Sequence, residues 1–146
     1  MTDHVRKQLR DQVAALVGSL TTYAVTVFKN RRYPVDSSEL PCLIVQTGDE
    51  EIESLTMDYP AQQLRQEQLI ISVIAETTVG LDDMLDEICK DIEIALSGTV
   101  TLASNFRLDS TSGIEPNIVG EKPVGVVDMR FTAEIYTLEN APFTAL

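Results

Sequence analysis

The sequence predicts an α+β fold: a mostly antiparallel sheet with two main helices packed on it, a projecting hairpin arm, and loops. Three observations lead there. Apolar residues recur at three- and four-residue steps in two stretches, 5–20 and 81–96, which is helical spacing. Other runs alternate, or stay apolar, over strand lengths. The order helix, strand, hairpin, helix, hairpin separates strand pairs by single helices, as in layers of helix on sheet.

In the first helix, Val5, Leu9, Val13, Leu16, Val17 and Leu20 share a stripe, while Arg6, Lys7, Arg10 and Asp11 fall elsewhere. Thr2 or Asp3 is the expected cap, and Gly18 weakens the other end. YAVTVF at 23–28 reads as a short strand and KNRRYPVDSSE as a loop of turn formers. From Cys42 to Ile52 a strand starts with an unbroken apolar run, covered on both faces, and then breaks into acid. SLTMDYPAQ at 54–62 reverses the chain with Pro60 as breaker.

The next strand, 63–76, begins polar and ends apolar, with Leu69, Ile71, Val73 and Ala75 on one face and Ile70 and Ile74 on the other. Antiparallel pairing of these two strands lays their charged halves together. That makes a hairpin arm with its base in the core and its tip in water.

The second helix is the clearest element. Leu81, Met84, Leu85, Ile88, Ile92, Ala95 and Leu96 form its stripe, six acids from Asp82 to Glu93 cover the rest, and Gly98 ends it. A weaker strand and a Gly/Pro-rich excursion at 110–125 follow. The last strand alternates cleanly: Val127, Met129, Phe131, Ala133 and Ile135 face in, and their neighbours face out. The chain is expected to be one domain, 1–146, with 139–146 as a flexible C-terminal tail.

Composition narrows the function. With 11 Lys and Arg against 23 Asp and Glu, the net charge of −12 opposes general binding to nucleic-acid phosphates. It does not exclude a surface past which DNA slides without sticking, where repulsion between like charges would serve. No apolar run reaches the length that crosses a bilayer, and MTDHVRKQLRD has no apolar signal core, so the chain is expected to fold in the cytoplasm. Cys42 and Cys89 lie in apolar segments and read as buried thiols.

A catalytic reading finds little to build on. His4 is the single imidazole and sits at a helix start, where a solvated role is expected. No Gly-rich phosphate loop and no Cys/His zinc spacing occur. The acids of 82–93 read as the solvated face of a helix. Those after the first arm strand are different, because Asp49, Glu51 and Glu53 are expected to alternate to one side. Such a row can meet Arg side chains of another molecule, collect a hard cation, or simply be solvated. Neither a catalytic residue nor a cofactor is assigned.

Several short motifs, in order, carry a resemblance. An amphipathic helix leads to a strand ending VF (Val27, Phe28) with arginines Arg31 and Arg32 just after, and then LP (Leu40, Pro41). TGDE (Thr47–Glu50), LIISV, a helix opening LDD (Leu81–Asp83), and MRFTAEIYTLE complete the succession. Over residues 5–138 this resembles the tail terminators of long-tailed bacteriophages, minor tail proteins of the lambda type.

The resemblance implies a non-enzymatic α+β protein of the virion, at the head-proximal end of the tail and assembled in the host cytoplasm. Six copies would form a ring that caps the tail tube protein, stops its polymerisation, and offers the surface for the head-completion or neck protein. Genomic DNA would pass through the bore without specific binding, and no membrane is involved. A head-completion protein is the neighbouring reading, and a small acidic enzyme or nucleic-acid mimic the distant one. For a ring, the expected contact joins Lys29, Arg31 and Arg32 of one subunit to Asp49, Glu51 and Glu53 of the next.

Overall fold

In a computed structural model the described residues are 3–20, 23, 25–29, 40–77, 79–113, 115–119 and 122–146, with backbone alone at 115–119, 122 and 123. The elements run α1 (Val5–Val17), β1 (Thr26–Phe28), β2 (Cys42–Ser54), β3 (Gln62–Glu76), α2 (Leu81–Leu96), β4 (Asn105–Thr111), β5 (Glu115–Val119) and β6 (Lys122–Leu138). They form an α+β fold with one sheet in the order β1-β2-β3-β6-β4, and β5 also pairs with β6. Among the described residues, only the short β1–β2 pairing is parallel.

Period-two alternation sends one set of side chains to each sheet face. Leu43 and Val45, Leu69 to Ala75, and Val127 to Ile135 at every second position line the face that both helices cover. Val5, Leu9, Val13 and Val17 from α1, with Leu85, Ile88, Ile92 and Leu96 from α2, close the core. Cys42, Ile44 and Ile74 form a small cluster on the other face. So the start of β2 is covered on both sides, as its unbroken apolar run requires.

Local chemistry sets the ends of the helices. The cap of α1 is His4, not Thr2 or Asp3: its Nδ1 accepts the Arg6 N–H at 3.1 Å. The helix stops at Val17, short of Leu20, with Gly18 as its cap. Gly80 opens α2 at φ 68°, a left-handed conformation in which a side chain would be strained. Gly125 lets β6 pass beneath that helix, since a Cβ there would come within 2.8 Å of Leu85 and 3.0 Å of Leu81.

Two regions differ in detail from the sequence reading. The stretch 110–125, expected as an excursion, is largely strand: Glu115 pairs with Val126 and Val119 with Lys122. In the segment 139–146, expected as a flexible tail, Pro142 O accepts the Val5 N–H at 2.9 Å. Phe143 O accepts from Gln8 Nε2, and the Leu146 N–H donates to Tyr136 O, each at 2.8 Å.

Candidate interaction surface

The arm begins where the period of β2 breaks. Thr47 pairs with Leu69 but Glu50 pairs with Glu67, so Gly48 and Asp49 together stand against Gln68. That extra residue is a β-bulge, and it shifts every later side chain to the opposite face. The bulge depends on a glycine: a Cβ at Gly48 would sit 2.6 Å from Gln68 Oε1. Ahead of the bulge Leu43 and Val45 face the helices; after it, Glu50 does.

Glu50 therefore joins Arg65 and Glu67 at the root of the arm. Arg65 Nη1 donates to Glu50 Oε1 at 2.9 Å and Nε donates to Thr137 Oγ1 at 3.0 Å. Arg65 is 6% exposed, while Glu67 and Thr137 are fully buried. The polar half of β3 is thus not in water as expected. β2 and β6 flank it on both sides along the sheet, and α1 packs on the same face. No hydrogen-bond donor reaches either carboxyl oxygen of Glu67, nor Glu50 Oε2.

Burial, reinforced by a hydrogen bond and charge from Glu50, pushes the Glu67 carboxyl up to about 9, against partial opposition from Arg6 and Arg65. His4 feels the same site: burial, then Arg6 and Arg65, lower its pKa, while Glu50 pulls the other way.

Beyond the root the polarity reverses. Ile52, Leu55, Met57 and Tyr59 are exposed, Met57 fully and Tyr59 by 78%. Asp49, Glu51, Glu53 and Asp58 stand exposed among them. The tip is held in shape by Leu55 N–H donating to Gln62 O at 2.7 Å and Gln62 N–H to Thr56 Oγ1 at 2.9 Å. Glu51, Ile52, Glu53, Leu64 and Gln66 line a shallow groove of about 120 Å³. Exposed apolar side chains set among charges make this tip the candidate contact surface.

The expected ion-pair residues are distributed unevenly. Glu51 and Glu53 stand opposite Gln66 and Leu64 on the sheet face away from the helices, and Asp49 is in the bulge. Gln68, which Asp49 stands against, is the next β3 residue on that same face, so the three acids fall to one side as expected. Lys29 already has a partner in its own chain, Asp11 on α1, at 3.3 Å. Arg31 and Arg32 lie outside the described residues.

Among the described residues no three His, Cys, Asp or Glu side chains gather as a metal site, and no helix is long and apolar enough to cross a membrane. Cys42 and Cys89 are buried thiols. Burial, then Asp86 and Glu93, pushes Cys89 up to about 11, so it stays protonated at neutral pH.

Glu50, Arg65 and Glu67 are the residues that sequence reasoning missed. A signal was present for two of them. Counting back in twos from Ala75 through Leu69 puts Glu67 and Arg65 on the core face.

No protein-family model matches the chain, and no curated protein sequence matches it. Among solved structures, a chain of the "Virion of native gene transfer agent (GTA) particle" is similar over 92% of this chain and 92% of that one, at 23% identity and a TM-score of 0.39.

Proposed function

We propose that this chain is a structural virion subunit that assembles with its own copies into a ring, as a tail terminator does. It would cap the tail tube, end polymerisation of the tube protein, and present a face to the head-completion protein. The observation that carries the reading is the arm tip, where Ile52, Leu55, Met57 and Tyr59 stand in water beside four acids. A single chain gains nothing by exposing them, whereas a neighbouring subunit can bury them. The sheet-borne root makes the tip a rigid contact, so little ordering cost falls on assembly. The net charge of −12 suits a bore that passes DNA without retaining it.

Light scattering at rising protein concentration, with and without purified tail tubes, tests the proposal. Rings, or tubes capped at fixed length, are expected. A chain that stays monomeric at high concentration and leaves tube growth unchanged sinks it. If the protein is found on heads and missing from headless tails, it is a head-completion protein instead.

Arg31 and Arg32 are the proposed cations for Asp49, Glu51 and Glu53 of the next subunit. Reversing both, R31E with R32E, is expected to abolish rings while the monomer melts at an unchanged temperature. Normal assembly of that variant would remove this pairing and leave the ring itself intact.

A further inference from the structure

Glu50 and Glu67 are direct cross-strand partners on the face covered by α1. Directly opposed side chains in an antiparallel pair are within contact distance. Arg65 is committed to one oxygen of Glu50 and to the Thr137 hydroxyl. Three carboxyl oxygens remain, Glu50 Oε2 and both of Glu67, and no N–H or O–H of another residue reaches them. If both groups were ionised, two negative charges would share a dry site with one bonded guanidinium. Such a site is far costlier than one holding a neutral acid. A protonated carboxyl is itself a donor, and the orphaned oxygens supply its acceptor.

We propose that Glu50 and Glu67 hold a single proton between them at neutral pH, and that this proton allows α1 to close over the root of the arm. Glu67 carries it and donates to Glu50, whose other oxygen keeps Arg65. The charged and titratable groups facing the pair are Arg65 from β3, Arg6 and the capping His4 from α1, and Glu50 itself from β2. β6 contributes the neutral Thr137 hydroxyl. The inference does not depend on the ring reading, because it concerns the fold of one subunit.

The sign of the pH effect follows from the raised Glu67 pKa. The unfolded carboxyl ionises near its ordinary 4.5, while the folded one holds its proton to about 9. The stability that protonation confers is complete below 4.5 and is lost as pH climbs toward 9. His4, with its pKa lowered from 6.5 by burial, acts in the opposite sense, adding stability as pH rises through its own range. Above pH 7 its contribution is constant. Cys89, which burial raises from 9.0 to about 11, also lowers stability as pH nears 9. It does so equally in any variant that keeps it, so the difference from such a variant between pH 7 and 9 isolates Glu67.

The test compares wild type with Glu67→Gln, whose amide keeps a donor toward Glu50 without a charge. In urea unfolding between pH 7 and 9, the wild-type folding constant is expected to fall relative to the variant by up to about tenfold per pH unit. Carbon-13 NMR of the Glu67 carboxyl in the wild type is expected to show it protonated at pH 7. The methyl signals of Val5 and Leu9 on α1 should move with the same midpoint. Parallel pH profiles for the two proteins, or an ordinary carboxylate midpoint near 4.5 for Glu67, would overturn the proposal. Methyl signals that stay still through the Glu67 titration overturn its claim on α1. If the Gln variant does not fold, the wild-type NMR titration decides alone.

Discussion

The root and the tip of the β2–β3 arm belong to the same two strands and invert the usual rule of burial. At the root, Glu50, Arg65 and Glu67 are enclosed; at the tip, Ile52, Leu55, Met57 and Tyr59 stand in water. The inversion has a single geometric origin. β3 is paired on both sides, and its side chains on the helix-covered face are buried as far as Arg65, while residues 51–59 beyond stand exposed. Charges caught under the cover must satisfy one another. Apolar groups beyond it stay exposed among the described residues, so the same strands carry an internal lock and the proposed external contact.

The strongest way to break this comparison is to remove the cation at the root. Arg65→Met leaves Glu50 and Glu67 enclosed with no bonded guanidinium, and is expected to lower the free energy of unfolding at pH 7 by about 3–5 kcal/mol. Urea titration measures it. A loss below about 1 kcal/mol, the scale of an exposed pair, would mean that the root is not dry.

A smaller effect is expected at the bulge that turns Glu50 inward. Gly48→Val places a branched side chain against Gln68, whose far end can move aside, so the cost is about 1–3 kcal/mol. The ring of partners behind Glu50 should weaken with it, which the Glu50–Arg65 coupling in a double-mutant cycle would register. Unchanged coupling would show that the bulge tolerates a side chain.

At the tip the expected change in stability is the smallest of all. Met57→Ser with Tyr59→Ser should alter unfolding by no more than about 0.5 kcal/mol, because neither residue packs on the core. The same variant should lose self-association in light scattering. Self-association at wild-type concentration would assign the subunit contact to another surface.

Much of this architecture could be read from local pattern. The helix over 81–96, the alternation of 127–135, and the faces of β3 all follow from periods of 3.6 and 2 that belong to consecutive residues. The acidic tip was legible too, as charge following an apolar run. The root was not. Asp49, Glu51 and Glu53 do share a face, but alternation counted from Leu43 and Val45 would put them on the helix side. The bulge against Gln68 sends them to the other side and turns Glu50 inward. Arg65 and Glu67 read as solvent-facing because they are charged, although their spacing from Leu69 put them on the core side.

By itself, then, the sequence determined where helices and strands form, which side chains share a face, and that the surface is strongly acidic. These are properties of neighbours along the chain. Tertiary structure alone decided that Glu50 turns inward, that β6 makes the arm three strands wide, and that three charged residues are enclosed. Each of those needs a partner far away in sequence: Gln68 against Gly48, Thr137 beside Arg65, Pro142 tying down the start of α1. Whether a charge is buried depends on what is folded over it, and no local period encodes that.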